Sequence, residues 1–360
     1  MMSISEIFSV APAYGIVYLV LAFILGAVFG SFLNVVIIRT PRKESIIGNH
    51  NGGSHCMSCN HKLGVLDLFP IFSYIFLGGK CRYCKAKISP RYWIVELSTA
   101  LLFTLAFVAF GISYKLIIAF ILISALIVAS GIDIDTMEIP YGASLIVALL
   151  GATETIVSIF TKEMPWYDHL IGVAVIAVPF AVLALFGAMG GGDVQLMAAA
   201  GLLLGWQIVP AAGIGIVLGA IGGGISMLSV PKGTKKLVSE KSNEIANEWY
   251  KKQKENGVAV IENKTDAIYG SIFDGKADIE AECVDAKLWT GKPDIDELNG
   301  MLDAELSGIT KYAVSMVFDS EGVKTVSCKK QIVFGPYLSV GILTAYMFGK
   351  AIIDWYLGLM

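Results

Sequence analysis

Two aspartates stand where the sequence is otherwise apolar enough to lie in a membrane. Asp193 follows three glycines and opens a long apolar run, so it lies at the expected start of a helix. Asp133 ends an earlier apolar run. Ionisable side chains at that depth are costly and usually functional. Two carboxylates that share a site can keep one proton between them, so that one takes a proton from water while the other polarises a carbonyl. We therefore predict that Asp133 and Asp193 form a catalytic aspartyl pair.

The residues alone leave alternatives to this pair open. Asp135 competes with Asp133, but two residues on along a helix it points about 200° away, so only one of them can face Asp193. The acids could also be proton or ion relays of a transporter, or caps at the membrane interface. The chain would then be a non-enzymatic membrane protein, either a proton-coupled carrier or a scaffold stabilised by the zinc site described next. Transporters often contain internal repeats, and the sequence shows no convincing one.

Four of the six cysteines form two C-x-x-C pairs, Cys56 with Cys59 and Cys81 with Cys84. Two such pairs at this spacing predict a zinc ribbon with four thiolate ligands. Zinc bound by four thiolates has no open position, so its role is structural, and a loop with little core gains its fold from the metal. The alternatives are free thiols or disulfides, and His55 or His61 could replace one thiolate.

Other polar and glycine-rich positions are weaker candidates. Gly79 and Lys80, preceded by Gly78, directly precede the second cysteine pair and could bind an anionic or nucleotide-like cofactor. A plain turn explains the same residues. Glu96, at the start of an apolar run, could help to bind a substrate amine. The small residues of the first apolar run predict close helix packing without any further function.

Composition indicates a membrane protein built of helices. The 360 residues are 55% hydrophobic and 16% charged, with a mean hydropathy of +0.68. Soluble domains carry about 25% charged residues, and no excess of basic residues suggests nucleic-acid binding. Segments long enough to span a bilayer cover residues 14–38, 93–111, 116–132, 142–160, 170–186, 194–230 and 335–357. We split 194–230 at a turn near 205–210 and predict about eight spans, with seven as the alternative.

Charge asymmetry orients these spans. Residues 1–38 contain no Lys or Arg, whereas the stretch from Arg39 to Arg91 contains nine, counting both ends. Positive loops stay in the cytoplasm, so we predict that the cysteine loop is cytoplasmic and that the first run is a retained span. Counting spans then places Asp133 and Asp193 on the cytoplasmic side.

The predicted fold is an all-α polytopic membrane protein with a cytoplasmic zinc-ribbon loop and a small α+β cytoplasmic insert. Residues 231–331 are rich in Lys, Glu and Asp and contain no spanning run. Within them we predict a helix over 239–256 and strands at 258–261, 313–318 and 323–326. The predicted divisions are a first span (1–38), the zinc loop (39–92), a membrane core (93–230), the insert (231–331) and a last span (332–360).

Taken together, these motifs resemble the bacterial type IV prepilin peptidases. The matching stretches lie in order, at family-like spacing, across the whole membrane part. They are residues 30–36, the two cysteine pairs, 70–74, 78–81, 91–92, 95–96, 132–135, 190–193 and 334–337. The glycine-x-glycine-aspartate motif also resembles presenilin-type intramembrane proteases, which lack the cysteine loop.

The resemblance implies a bifunctional enzyme of the bacterial inner membrane. Such an enzyme cleaves the basic leader of prepilins and pseudopilins after a glycine, then methylates the new N-terminal amine with S-adenosylmethionine. By motif match, Asp133 and Asp193 are the peptidase acids, Gly79 and Lys80 match positions tied to methylation, and the four cysteines match the zinc loop.

Three positions depart from the family pattern. Tyr141 stands where relatives often carry Asp, Val333 replaces a Pro, and the insert is much longer than the usual loop.

Overall fold

A computed structural model describes residues 12–46, 54–56, 58–162, 164–186, 189–228, 233–258, 260–261, 268–273, 276–280, 293–306, 312–330 and 333–358. Within these ranges the chain is mostly helical. The helices are α1 Pro12–Arg39, α2 Phe72–Phe76, α3 Pro90–Phe110, α4 Tyr114–Thr136, α5 Tyr141–Thr161, α6 Trp166–Leu185, α7 Gly191–Leu204, α8 Ile208–Leu228, α9 Thr234–Glu255, α10 Ile295–Leu306 and α11 Gly335–Leu357. The strands are β1 Ile268–Phe273, β2 Lys276–Glu280, β3 Tyr312–Asp319 and β4 Gly322–Lys330.

Seven helical segments of the described chain are long and apolar enough to cross a membrane, when Gly191–Gly223 is taken as one. That segment contains α7 and most of α8, separated by a 3-10 turn at Gly205–Gln207. The start of α7 lies beside Ile139, shortly after α4, and Gly219 in α8 lies against the Phe334 ring, just before α11. Since Gly335 is hydrogen-bonded to Asp133 near the end of α4, both ends of the segment return to one end of the bundle. The segment is a hairpin, which agrees with the prediction of about eight helices.

Close packing of small residues fixes α1 against α3. A Cβ atom added to Gly26 would lie 2.7 Å from the Cα of Ala100, and one added to Gly30 would lie 2.7 Å from the Cα of Glu96. Only glycine permits this approach of two helix backbones. Asn34, one turn further along α1, donates its amide N–H to the carbonyl oxygen of Tyr92 at 3.1 Å. The predicted packing face of α1 is confirmed, and it places the start of α3 beside the end of α1.

Among the membrane helices that the structure describes, α4 is the most enclosed, with 56% of its most apolar stretch buried. Its apolar side belongs to the main core, together with residues of α5, α7 and α11 such as Val147, Leu196 and Ile342. Because neighbours surround α4, the acids at its end have a fixed position relative to the other helices.

The chain divides into two compact units, one formed by 1–221 with 333–360 and the other by 222–332. The second unit contains a four-stranded antiparallel sheet with the order β2-β1-β3-β4. Helices α9 and α10 share its core, in which Trp249, Leu298 and Phe318 are fully enclosed.

The α+β class predicted for this unit is confirmed, as are its helix and the strands near 313–318 and 323–326. The strand predicted at 258–261 is wrong for its described residues, of which Val258 follows the end of α9 in a bend and Ile261 is buried without joining a strand. Strands β1 and β2 and helix α10 were not predicted. Gly270 and the charged residues of β2 break the apolar alternation that marks a strand.

Candidate active site and metal centre

Asp133 lies in the last turn of α4, where its side chain is only 4% exposed. Its Oδ2 accepts a hydrogen bond from the backbone N–H of Gly335 at 2.8 Å. Gly335 is the first residue of α11. The carboxylate therefore lies at a helix N-terminus, where free N–H groups and the helix dipole favour a negative charge.

Asp193 lies in the first turn of α7, a second helix N-terminus at the same end of the bundle. The backbone N–H of Gly190 donates to its Oδ2 at 3.2 Å, which fixes the side chain over the helix start. The side chain is partly buried and close enough to Asp133 for the two charges to interact. Elements distant in sequence thus bring both acids to one end of the bundle, where their charges are close enough to interact. Two carboxyl groups that share one proton could activate water.

The three glycines before Asp193 have different surroundings. A Cβ on Gly192 would lie 3.0 Å from the Cβ of Ile139, whereas one on Gly191 would meet no heavy atom within 4 Å. Gly192 therefore lets α7 approach the segment that follows α4. Gly191 is exposed and leaves open space beside Asp193.

Asp135, the competing acid, is directed elsewhere. Its carboxylate forms an ion pair with Arg91 at 2.6 Å, and the same guanidinium donates to the carbonyl oxygen of Gly131 at 2.9 Å. Arg91 is in the first turn of α3. The side chain of Asp135 thus joins α4 to α3, whereas the charge of Asp133 is close enough to act on Asp193.

The Sγ atoms of Cys56, Cys59, Cys81 and Cys84 all lie within 4.8 Å of one another. The distance from Cys56 Sγ to Cys84 Sγ is 3.8 Å. A tetrahedral zinc ion with Zn–S bonds of about 2.3 Å requires S···S distances of about 3.8 Å. The four thiols therefore fit a structural zinc ion, and neither His55 nor His61 belongs to the cluster among the described residues.

The two cysteine pairs are built in the same way. In each, the backbone N–H of the residue after the second cysteine, Asn60 or Lys85, donates to the carbonyl of the first cysteine, at 2.8 and 3.1 Å. Both residues have a positive φ, 54° and 59°, which turns the chain tightly around the sulfurs. Each pair thereby forms a knuckle that presents both thiols on one side.

Backbone groups and neighbouring thiols also set the acidity of the first knuckle. The pKa of Cys56 is lowered to about 6, chiefly by the N–H groups of Ser58 and Cys59. The N–H of His61 acts to lower the pKa of Cys59, but burial and the neighbouring thiols of Cys84 and Cys56 outweigh it and raise the pKa to about 11. A cation among the four sulfurs would remove this repulsion, as zinc does when it binds thiolates.

Asp67 connects the two halves of the zinc loop. Its carboxylate accepts hydrogen bonds from Arg82 Nε at 2.6 Å, Tyr83 Oη at 3.2 Å and Gly64 N at 3.1 Å. Burial acts to raise the pKa of Asp67, but the hydrogen bonds from Arg82 and Gly64 outweigh it, so that the pKa is lowered. The second knuckle is therefore fixed to the preceding segment independently of the metal.

Gly78 and Gly79 form a turn with φ of 60° and 66° directly before Lys80. The Gly79 N–H donates to the carbonyl of Tyr74 at 2.9 Å, and its carbonyl accepts from Ile88 N–H at 2.7 Å. Lys80 is exposed beside this turn. The turn geometry accounts for both glycines, so the predicted cofactor contacts of Gly79 and Lys80 stay a prediction.

Glu96 is buried between α1, α2 and α3. Its Oε2 accepts a hydrogen bond from the backbone N–H of Ile71 at 2.7 Å, and Ser31 is a further hydrogen-bond partner. The carboxylate holds the zinc loop on the membrane helices, and its predicted contact with a substrate amine is untested.

Sequence reasoning missed two residues of this arrangement, Gly335 and Arg91. Each residue lies in a family-like motif, but the motif does not indicate which residue it contacts. Gly335 and Asp133 are 202 positions apart in the chain, and Arg91 and Asp135 are 44 positions apart.

Comparison with known proteins identifies the family. Residues 24–110 match the Bacterial Peptidase A24 N-terminal domain, and residues 120–226 match the Type IV leader peptidase family. None of the solved structures matches the chain.

Three curated relatives carry the name prepilin leader peptidase/N-methyltransferase. The protein of Bacillus subtilis is 36% identical over 58% of this chain and 82% of its own length. That of Vibrio cholerae is 33% identical over 54% of the chain and 80% of its own length. The protein of Myxococcus xanthus is 36% identical over 54% of the chain, which spans about six-tenths (59%) of that relative. The chain therefore belongs to the type IV leader peptidase family.

Proposed function

We propose that this protein is a membrane aspartyl endopeptidase that removes the basic leader of type IV prepilins or pseudopilins at the cytoplasmic membrane boundary. It then methylates the new N-terminal amine with S-adenosylmethionine. The observation that carries the proposal is the proximity of the charges of Asp133, in the last turn of α4, and Asp193, in the first turn of α7, each held by a backbone N–H. Family membership and the names of the relatives support the same activity.

The two acids divide the chemistry of peptide hydrolysis between them. One ionised carboxylate takes a proton from water while the water oxygen bonds to the scissile carbonyl carbon. The other, protonated, donates its proton to the carbonyl oxygen, and the carbon–nitrogen bond then breaks as the leaving amine gains a proton. The helix N-termini of α7 and α11 lie beside the two carboxyl groups, where they stabilise the ionised acid.

The position of the site suits a substrate whose apolar helix lies in the bilayer behind a basic leader. Both acids lie at the end of the bundle at which α4 ends and α7 and α11 begin. Cleavage there requires an extended backbone, and exposed Gly191 leaves room for one beside Asp193. We assign this end, the zinc loop and the insert to the cytoplasm from the charge asymmetry of the loops.

Methyl transfer belongs to the zinc loop in this proposal. The nitrogen of the amine freed by cleavage bonds to the methyl carbon of S-adenosylmethionine, the bond from that carbon to sulfur breaks to release S-adenosylhomocysteine, and the nitrogen loses one proton to solvent. Gly79 and Lys80 are the proposed cofactor-binding residues, and a zinc ion held by Cys56, Cys59, Cys81 and Cys84 would fix the fold around them. The knuckle geometry fits that structural role.

A single assay tests both activities. The purified full-length protein is incubated with a prepilin peptide, with and without S-adenosylmethionine, and the masses of the products are measured by mass spectrometry. We expect one cut after a glycine in both mixtures, and one added methyl on the mature fragment only with the methyl donor. Absence of cleavage by a folded, zinc-loaded preparation would refute the peptidase, and cleavage without methylation would refute the second activity alone.

Paired variants test the assignment of the acids. Asp133→Asn and Asp193→Asn should each abolish cleavage, since amides cannot shuttle the proton. Asp135→Asn is the matched control and should still cleave, because its side chain pairs with Arg91. Full processing by either of the first two variants would remove that residue from the site.

A further inference from the structure

An exposed apolar surface lies within the loop that the charge pattern places in the cytoplasm. Phe69, Phe72, Ile75 and Phe76 are between 48% and 83% exposed and recur every three or four residues around α2. We call this set the aromatic face. The rings of Phe69 and Phe72 are 5.8 Å apart and those of Phe72 and Phe76 are 6.3 Å apart, so the face is continuous. A contiguous apolar surface of this kind marks a place of interaction.

The opposite side of the same segment is fixed to membrane helices. The Ile71 side chain is 6% exposed and packs in a cluster with Ala27 of α1 and Ala100 of α3. Its N–H donates to Glu96 at 2.7 Å, and the Tyr74 ring stacks on Trp93 with 6.3 Å between ring centroids. The segment is therefore held against the spans.

Its depth follows from the helix that it contacts. Glu96 is six residues beyond Pro90, the first residue of α3, which is about 9 Å along the axis. The 21 residues of α3 extend about 32 Å, close to the thickness of the hydrocarbon core. Interfacial helices bury their apolar face about 5–10 Å into the boundary between headgroups and acyl chains. Ile71, which lies between Phe69 and Phe72 of the aromatic face in the chain, contacts α3 at this level.

Neighbouring residues suit the same environment. Ile94 of α3, 53% exposed, belongs to the apolar surface that the spans present to lipid at this level. Four exposed lysines of the zinc loop, Lys62, Lys80, Lys85 and Lys87, supply positive charge that attracts anionic headgroups.

We propose that the aromatic face is buried in the phospholipid bilayer, on the side where the zinc loop lies. The zinc loop is then a membrane-attached element, held by α2 on one side and by Glu96 on the other. This attachment places the knuckles and Lys80 at the lipid surface, where the amine end of an embedded helix emerges. The attachment itself does not depend on the proposed enzymatic activity.

The test is photocrosslinking from the aromatic face. p-Benzoylphenylalanine replaces Phe76, 83% exposed, in one protein and the exposed Lys251 of α9, in the charged insert, in a control protein. Both full-length proteins are placed in nanodiscs of phosphatidylethanolamine and phosphatidylglycerol that carry an alkyne-tagged acyl chain, with and without a prepilin peptide. Zinc content checks that each loop is folded.

We expect position 76 to form at least five times more lipid adduct than position 251, with or without the peptide. Equal lipid labelling at the two positions would overturn the proposal. Loss of the lipid adduct when the peptide is added, with a peptide adduct in its place, would also overturn it and would make the aromatic face a substrate-docking surface. A second probe at position 72, on the same face, should repeat the result of position 76.

Discussion

Replacement of Gly335 by alanine disturbs the hydrogen bond that holds the Asp133 carboxylate, while both aspartates stay in the sequence. A Cβ at position 335 would lie 2.6 Å from Asp133 Oδ2, whereas ordinary contacts begin near 3.4 Å. The carboxylate and the new methyl must therefore separate by about 0.8 Å (3.4 − 2.6). That movement breaks or weakens the 2.8 Å hydrogen bond from the Gly335 N–H.

The size of the effect follows from the bond that is lost. A hydrogen bond to a charged group contributes about 1.5–3 kcal/mol, and each 1.4 kcal/mol of barrier is tenfold in rate. We expect kcat for cleavage of a prepilin peptide to fall about 10- to 150-fold, in line with the cost of misplacing a catalytic group by about 1 Å. KM should change little, because substrate contacts are left in place.

Gly213→Ala is the matched control. It makes the same chemical change within a membrane helix, α8, and its Cβ would meet no heavy atom within 4 Å. The assay compares kcat and KM of both variants with wild type, with zinc content and thermal unfolding as checks of folding. A kcat within twofold of wild type in folded Gly335→Ala would refute the idea that this contact positions Asp133. An equal loss in both variants would mean that the bundle, and not the acid, was disturbed.

Three further predictions concern the surroundings of the site. Asp135→Asn removes a half-exposed ion pair and should lower the free energy of unfolding by at most about 1 kcal/mol, read from denaturant midpoints, with cleavage retained. Cys81→Ser should contain less zinc, as measured by elemental analysis. It should lose methylation before cleavage, because zinc stabilises only the loop. Unchanged zinc content would count against the four-thiolate centre. Gly79→Ala should impair methylation more than Gly78→Ala does. Both substitutions strain a positive φ, but only the Cβ at position 79 also presses on the Tyr74 hydroxyl, at 2.9 Å. Equal methylation rates of the two variants by mass spectrometry would contradict this.

Local patterns in the sequence were enough for several features. The spacing of Cys56, Cys59, Cys81 and Cys84 predicts a four-thiol cluster, because two residues between cysteines set one tight turn whatever surrounds it. Long apolar runs predict the spans, because the bilayer fixes their length and leaves the backbone no partner but itself. The glycines before Asp193 predict a helix start at that acid. Each of these features depends on residues that are close neighbours in the chain.

The structure alone decided which distant residues meet. Nothing near Asp133 in sequence indicates that Gly335 donates to it, or that Asp135 turns to Arg91 instead. Sequence likewise placed residues 39–92 in water as one loop, whereas Ile71 is packed among membrane helices. These contacts arise from how whole helices are positioned against one another. That positioning is set by the summed packing of many apolar side chains, which no short motif encodes.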